Sequence, residues 1–246
     1  MSGRADPVET LPNPRLGLVV LQADETIERD FRRIFPAEDV DLFVTRIPSG
    51  AMLTPETIAA MEADLPSALA LLPSASPFAT VAYACTSGTA LIGARRVREL
   101  VEGATSTASV TNPLCAALAA FGALGLRRIG LVSPYGAAVS SGFRSALEAR
   151  GITVAATFSF DEESEARVAR IAPAAIAEAA RRLASGGGLD GLFLSCTNLR
   201  TLDILDPLEA ELGIPVLSSN QVLAWHMARS AELDRPAPVP GCLRDR

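Results

Sequence analysis

Histidine and cysteine are scarce in this 246-residue chain, which has one histidine, His226, and four cysteines. No two cysteines form a Cys-x-x-Cys pair, so a structural zinc site, which needs closely spaced cysteine and histidine ligands, is not expected. The sequence also lacks a Gly-x-Ser-x-Gly motif, which argues against a serine hydrolase. We therefore expect no metal site.

Positive charge is also limited. The chain has 22 Lys and Arg residues against 28 Asp and Glu residues, a net charge of −6, and no basic stripe. Nucleic acid and acidic membrane surfaces attract clustered basic side chains, so neither partner is expected. Hydrophobic residues at 49% and charged residues at 20% indicate a globular protein.

Long hydrophobic runs are absent. The longest, residues 114–126, is shorter than the roughly 20 residues that cross a bilayer. Residues 1–14 lack the apolar centre of a signal peptide and are predicted to be a flexible lead-in. Four widely spaced cysteines without a secretory signal are typical of free thiols in a reducing compartment, so we predict a cytoplasmic protein.

Two stretches of the chain share one pattern. Residues 81–89 read Val-Ala-Tyr-Ala-Cys-Thr-Ser-Gly-Thr, and residues 192–201 read Leu-Phe-Leu-Ser-Cys-Thr-Asn-Leu-Arg-Thr. A short apolar run that ends at small polar residues is typical of a buried parallel strand. Cys85 and Cys196 are thus predicted at the carboxyl ends of strands, where open α/β sheets bind ligands.

Strand-like runs alternate with helical patterns along the whole chain. The predicted strands cover residues 16–21, 40–47, 78–84, 106–110, 128–132, 152–158, the run from 192 into Cys196, and 214–217. The predicted helices include residues 54–72, 91–101, 137–150, a long helix 162–183 broken or bent near Pro173, and 202–212. Alternation of this kind implies parallel sheets joined by right-handed crossovers.

The order of elements repeats. The predicted strands that start at residues 16 and 40 correspond to strands that start at residues 128 and 152. Cys85 corresponds in the same way to Cys196, at nearly the same separation along the chain. We predict an α/β fold of two pseudo-symmetric lobes, each a four-stranded parallel sheet flanked by helices. Residues 1–111 form the first lobe and 112–218 the second, with a C-terminal helix within 219–246 packing back on the first. The cleft between the lobes is the predicted active site.

Two facing thiols permit acid–base and nucleophilic chemistry without metal or cofactor. A helix is predicted just downstream of Cys85 and of Cys196, and a helix N-terminus lowers the pKa of a thiol. One thiol can take a proton from a carbon while the other returns one, or one can add to a double bond while the other supplies a proton. The non-enzyme alternative is a small-molecule binding protein on the same two-lobed scaffold.

Donor groups surround the two predicted strand ends. Thr86, Ser87, Thr197 and Asn198 offer hydroxyls, an amide and backbone N–H groups that suit a carboxylate and a developing enediolate. Tyr135, in the loop Ser-Pro-Tyr-Gly, is predicted on the same sheet edge and is a further donor.

Three other side chains are weaker candidates. Cys115 lies in an apolar helix and Cys242 in a proline-rich tail, so both are expected to be inert. His226 falls beside apolar residues of the final helix, which favours a packed histidine over a catalytic base.

The paired Cys-Thr strand ends, the Val-Ser-Pro-Tyr loop and the opening Gly-Leu-Val-Val-Leu-Gln-Ala-Asp-Glu-Thr-Ile-Glu resemble the aspartate/glutamate racemase superfamily. They are most similar to its maleate isomerase and arylmalonate decarboxylase branch, and within that branch to the ectoine-utilisation proteins. The resemblance implies a cofactor-independent homodimer that acts on a small carboxylate through Cys85 and Cys196. It also implies that Tyr135 and Thr86 bind the substrate carboxylate.

Two details refine what the resemblance implies. Decarboxylases of this branch keep only the second cysteine, so Cys85 favours an isomerase or racemase. The alternative that the resemblance implies is a decarboxylase in which Cys196 protonates the product. Maleate isomerases have an asparagine after the first strand, where this chain has Asp24. A carboxylate there repels a dianion but suits an ammonium group, so we expect Asp24 to bind an amino-acid-like substrate such as an ectoine-derived diaminobutyrate.

Overall fold

The computed structural model describes residues 13–52 and 54–246. Most of the predicted flexible lead-in, residues 1–14, lies outside the described residues. The only part of it that is described is Asn13 and Pro14, which come directly before the first strand.

Two four-stranded parallel sheets form the centre of the fold, and their strand orders are β2-β1-β3-β4 and β6-β5-β7-β8. The first sheet contains β1 (Arg15–Leu21), β2 (Asp41–Ile47), β3 (Thr80–Ala84) and β4 (Val110–Thr111). The second contains β5 (Arg128–Ser133), β6 (Thr153–Ser159), β7 (Gly191–Leu194) and β8 (Val216–Ser218). The two sheets have the same topology, so the predicted fold of two similar α/β lobes is confirmed.

Helices connect the strands and cover both sheets. They are α1 (Ile27–Ile34), α2 (Pro55–Leu69), α3 (Thr86–Ile92), α4 (Ala94–Ala104), α5 (Pro113–Leu124), α6 (Ala137–Glu148), α7 (Glu165–Val168), α8 (Pro173–Ala184), α9 (Leu202–Leu212) and α10 (Ser219–Ser230), followed by a 3₁₀ turn (Cys242–Asp245). The central strands β1, β3 and β7 are buried along their whole length, as expected of strands with helices on both faces.

The segment predicted as a long helix 162–183, broken or bent near Pro173, is broken there. It forms two helices, α7 and α8, because Ala172 is extended, the conformation that a residue before proline prefers. The helix predicted at 91–101 is also two helices, α3 and α4, which meet at Gly93 with φ of 92°. The strand predicted at 106–110 is reduced to β4. The helix predicted at 202–212 is confirmed as α9.

The C-terminal part of the chain returns to the first sheet. α10 packs against β3, β4 and α1, as well as against α5 and β8. Its N-terminus carries a capping box in which Ser218 and Gln221 bind each other's backbone N–H groups. The lobe boundaries after residues 111 and 218 stay a prediction.

No helix within the described ranges is long and apolar enough to cross a membrane. Among the same residues, no group of three or more His, Cys, Asp or Glu side chains is arranged to hold a metal ion.

Candidate active site

Both strand-end cysteines lie where the two lobes meet. Cys85 follows β3 directly, Cys196 follows β7 by two residues, and both are free thiols that are at most 4% exposed. The hydroxyl of Thr197 donates a hydrogen bond of 3.4 Å to the carbonyl oxygen of Ala84. The residue after one cysteine is therefore bonded to the residue before the other, which brings the two strand ends together.

Cys85 forms the N-cap of α3, and its sulfur accepts a hydrogen bond of 3.1 Å from the Gly88 N–H. This position requires glycine, because a Cβ on Gly88 would lie 2.5 Å from the Tyr83 hydroxyl and 2.9 Å from the Cys85 sulfur. Burial raises the pKa of Cys85 to about 12, and the charges of Glu165 and Asp24 add to that effect. The Gly88 N–H and the Tyr83 hydroxyl act in the opposite direction.

Cys196 is held by groups of the second lobe. Its sulfur lies 3.3 Å from the Tyr135 hydroxyl and accepts a hydrogen bond of 3.3 Å from the Asn198 N–H. Burial, together with the nearby charges of Glu165 and Asp24, raises the pKa of Cys196 well above its usual value. The two hydrogen bonds lower this pKa but do not offset the burial.

The lowered thiol pKa values expected from the sequence are therefore wrong for this structure. Full burial costs the thiolate its hydration, and two acidic side chains add like charge. No helix N-terminus lies directly at Cys196, because α9 begins at Leu202, the start that the sequence predicted, and residues 197–201 lie between them.

Glu165 is a site residue that the sequence analysis missed. It is 1% exposed, its Oε1 accepts a hydrogen bond of 2.5 Å from the Tyr135 hydroxyl, and its Oε2 accepts one of 3.1 Å from the Asn198 amide. Burial raises the pKa of Glu165, and the charge of Asp24 raises it further. Glu165 begins α7, and its N–H donates to the carbonyl oxygen of Ala51 in the first lobe. The sequence predicted only that Glu165 lies in a long helix, which does not indicate its contacts with Tyr135 and Asn198.

Asp24 lies in the connection between β1 and α1 and is 2% exposed. Its Oδ1 accepts hydrogen bonds from the N–H groups of Thr26 and Ile27 at 2.8 and 2.9 Å. Its Oδ2 is buried and has no hydrogen-bond partner among the described residues. Burial raises the pKa of this carboxyl, while the two N–H groups, the Thr197 hydroxyl and the charge of Arg46 lower it.

Asn198 ties the two lobes together. Its Oδ1 accepts from the Glu25 N–H at 2.9 Å, its carbonyl oxygen accepts from the Thr26 hydroxyl at 2.9 Å, and its amide nitrogen donates to the Glu165 carbonyl oxygen at 3.0 Å. The side chain is 1% exposed. These contacts give Asn198 a positioning role beside Cys196.

The remaining predicted binding residues are also buried. The Thr86 hydroxyl lies 3.1 Å from the Ser219 hydroxyl of α10, and Ser87 occupies the second position of α3. His226 contacts the Thr111 hydroxyl through Nδ1 at 2.7 Å, and burial lowers its pKa. This contact agrees with a packed histidine.

The model of the arylmalonate decarboxylase family matches residues 79–243, which include both Cys-Thr pairs.

Individual relatives match over nearly the whole chain. A maleate isomerase from Nocardia farcinica (strain IFM 10152) is 29% identical over 242 residues, which cover 94% of each protein. The solved structure of a maleate cis-trans isomerase mutant from the same organism, with a covalently bound succinylcysteine intermediate, aligns with a TM-score of 0.84 and 28% identity. It covers 95% of this chain and 99% of that one. A liganded double mutant of arylmalonate decarboxylase aligns with a TM-score of 0.84 and 25% identity over 94% and 98% of the two chains.

Proposed function

The chain belongs to the arylmalonate decarboxylase family, and from that premise we propose that it is a cofactor-independent isomerase or racemase that acts next to a carboxylate through Cys85 and Cys196. The observation that carries the proposal is the junction of the two strand ends, where the Thr197 hydroxyl bonds to Ala84. The charges of Glu165 and Asp24 affect the pKa of both thiols, which supports a single site that contains both sulfurs.

The two thiols have different neighbours, which suggests different roles. The Gly88 N–H supports a thiolate on Cys85, so we assign Cys85 as nucleophile or base. Cys196 is bonded through Tyr135 to Glu165, so we assign it as the proton donor. The chain of Cys196, Tyr135 and Glu165 provides a path by which the proton returns.

For a cis-alkene substrate, the Cys85 thiolate adds to one alkene carbon. The π electron pair of the double bond moves to the other alkene carbon, where the neighbouring carboxylate stabilises the carbanion. Cys196 protonates the resulting carbanion, which gives a saturated thioether with a freely rotating carbon–carbon bond. After rotation, return of the proton to Cys196 and expulsion of the thiolate give the trans-alkene. A covalent succinylcysteine intermediate in the N. farcinica isomerase mutant supports such a step here.

For a racemisation, one thiolate removes the α-proton and the thiol on the other face delivers a proton. Both routes develop enediolate charge next to the carboxylate, and we assign Thr86, Ser87, Tyr135 and Thr197 as the groups that hold it, with Asn198 positioning Cys196 beside them. Their burial at the junction of the lobes supports this assignment.

A decarboxylase is the second candidate, favoured by the family model that the chain matches. In that reaction the substrate loses carbon dioxide and Cys196 protonates the carbanion that remains, so Cys85 is not required. Release of carbon dioxide from an arylmalonate by the Cys85→Ser variant at the wild-type rate would establish this function instead.

The cellular setting is part of the proposal. The four free thiols and the resemblance to ectoine-utilisation proteins support a cytoplasmic enzyme, active as a homodimer, that processes a small carboxylate from ectoine breakdown.

A substrate panel tests the reaction class directly. The purified protein is incubated in D₂O with maleate, aryl- and alkylmalonates, aspartate, glutamate and 2,4-diaminobutyrate, and products are followed by NMR and chiral chromatography. We expect isomerisation, or deuterium incorporation at the α-carbon with loss of optical purity. Tight binding of a panel member with neither exchange nor turnover would indicate a binding protein.

A further inference from the structure

Two buried carboxylates stand out in the candidate site because they come from opposite lobes. Asp24 follows β1 of the first lobe, and Glu165 begins α7 of the second. Each raises the pKa of both Cys85 and Cys196, and Asp24 also raises the pKa of Glu165. Hydrogen bonds connect the same groups. Thr26, whose N–H donates to Asp24, donates its hydroxyl to the carbonyl oxygen of Asn198, and Asn198 donates to Glu165 and to the Cys196 sulfur.

Their hydrogen bonds are unequal. Both oxygens of Glu165 have donors, from Tyr135 and Asn198. Asp24 has two N–H donors on Oδ1, whereas its buried Oδ2 has no partner in the described part of the chain. The Thr197 hydroxyl is near enough to lower the pKa of Asp24, but it donates its proton to the Ala84 carbonyl oxygen. Buried carboxylate oxygens are normally hydrogen-bonded, so an open acceptor in a 2% exposed side chain points to a donor that arrives with a ligand.

No cationic side chain of the described residues compensates the two acids at close range. The chain contains no lysine, so its side-chain cations are arginines and, when protonated, His226. Arg46 acts on Asp24, but its guanidinium donates to three carbonyl oxygens of the β1–α1 connection at 3.0 to 3.1 Å and pairs with Glu28. The Asp24 carboxylate is left without an ion pair.

We propose that this site takes a substrate with a carboxylate at one end and a cationic nitrogen at the other, with the nitrogen donating to Asp24 Oδ2 and facing the charge of Glu165. This assignment deepens the proposed function and rests on it, since it places the cation beside the two working thiols. An ammonium or amidinium group supplies both the missing donor and the missing charge.

The same cation changes the thiols. Asp24 and Glu165 disfavour a thiolate at Cys85 and Cys196, and a positive group between them and the thiols removes that effect. Binding of the correct substrate would therefore activate the nucleophile, whereas a dicarboxylate would add negative charge and suppress it. The site would therefore select a cationic substrate over a dicarboxylate in two ways, by direct contact with Asp24 and by the effect of the substrate on the thiols.

A matched pair of substrates tests the assignment. Maleate and (Z)-4-aminobut-2-enoate are both four-carbon cis-alkenes with a carboxylate, and they differ in whether the other end carries a carboxylate or an ammoniomethyl group. We expect the wild-type protein to isomerise the amino compound with a kcat/KM at least tenfold higher. Asp24→Asn and Glu165→Gln should each shift this ratio at least tenfold towards maleate.

Glu25→Gln is the matched control. It removes the same charge one residue from Asp24, but the Glu25 side chain is exposed and pairs with Arg170. The substrate ratio should stay within twofold of wild type in this variant.

A saturated pair separates this inference from the proposed function. 4-Aminobutanoate and succinate cannot isomerise, so thermal-shift titration with each reports binding alone. We expect 4-aminobutanoate to stabilise the wild-type protein more than succinate, and the preference to be lost in Asp24→Asn. Equal or stronger binding of succinate would overturn the inference, even if maleate is isomerised through the cysteines. A preference for 4-aminobutanoate without turnover of any substrate would uphold it while the proposed catalysis failed.

Discussion

The phenolic hydroxyl of Tyr135 donates a hydrogen bond of 2.5 Å to Oε1 of Glu165. The same hydroxyl lies 3.3 Å from the Cys196 sulfur, so it links a buried acid to a buried thiol.

Tyr135→Phe should make Cys196 harder to ionise. The Tyr135 hydroxyl donates to Glu165 while Cys196 is a thiol, but it can turn its proton to the Cys196 thiolate and so lower the pKa of that thiol. A raised pKa means less thiolate at a given pH, so the pH profile for alkylation of Cys196 by iodoacetamide should move to higher pH. Peptide mass spectrometry measures it site by site. Tyr83→Phe is the control, since Tyr83 lowers the pKa of Cys85 instead. An unchanged Cys196 profile in Tyr135→Phe would show that the hydroxyl does not support the thiolate.

Gly88→Ala should damage the Cys85 side of the site. The new Cβ would lie 2.5 Å from the Tyr83 hydroxyl and 2.9 Å from the Cys85 sulfur, so at least one of them must move. We expect a free energy of unfolding lowered by about 1–3 kcal/mol, the usual cost of overpacking, and a kcat/KM reduced by at least about tenfold.

Gly103→Ala is the matched control for Gly88→Ala. Gly103 also lies in a helix, but a Cβ there meets no atom within 4 Å. This change should leave activity intact and raise stability by up to about 1 kcal/mol. Full activity in Gly88→Ala would contradict the tight packing around Cys85.

Stability should fall as the pH rises through the range in which Asp30 ionises. Burial raises the pKa of Asp30 to about 6, with added effects from Asp24 and Asp203, although Asn220 and Arg33 lower it. Between about pH 4 and pH 6 the folded protein therefore holds a proton that the unfolded chain has released. Folding is favoured while Asp30 stays protonated, and this contribution is lost as the pH rises through about 6.

Asp30→Asn should consequently raise the free energy of unfolding at pH 8 by roughly 1–3 kcal/mol, an advantage that disappears near pH 4. The variant keeps an acceptor for the Asn220 amide, which donates to Asp30 at 2.8 Å. Urea unfolding at the two pH values measures the difference, and Asp39→Asn on an exposed residue is the control. Equal stability of Asp30→Asn and wild type at pH 8 would show that burial of the Asp30 carboxylate does not lower the free energy of unfolding.

The fold and the position of the thiols were predictable from sequence, for a clear reason. Buried parallel strands appear as apolar runs, and their ends are marked by polar residues, so Cys85 and Cys196 could be assigned to strand ends. The repeat of strand starts then predicted two lobes of one topology, which the sheets confirm. The resemblance to the maleate isomerase and arylmalonate decarboxylase branch is also confirmed. The closeness to ectoine-utilisation proteins stays a prediction.

Other features of the site depend on contacts between distant parts of the chain. Glu165 contacts Tyr135 and Asn198 from the short helix α7, which is separate from α8 because the chain is extended before Pro173. Nothing in the sequence around Glu165 indicates that this acid is buried. The thiol pKa values were predicted in the wrong direction because local sequence shows a helix start but not the burial of both sulfurs. Asp24 was singled out only through the resemblance, and its open oxygen is visible only in three dimensions.

The most direct test of the central claim compares the single variants Cys85→Ser and Cys196→Ser on the best substrate of the panel. Two thiols that act on one substrate predict that each variant loses about 100-fold or more of the isomerisation or α-proton exchange rate. Cys115→Ser and Cys242→Ser, which change the other two free thiols, should keep the wild-type rate. Wild-type turnover by either Cys85→Ser or Cys196→Ser would contradict the two-thiol account.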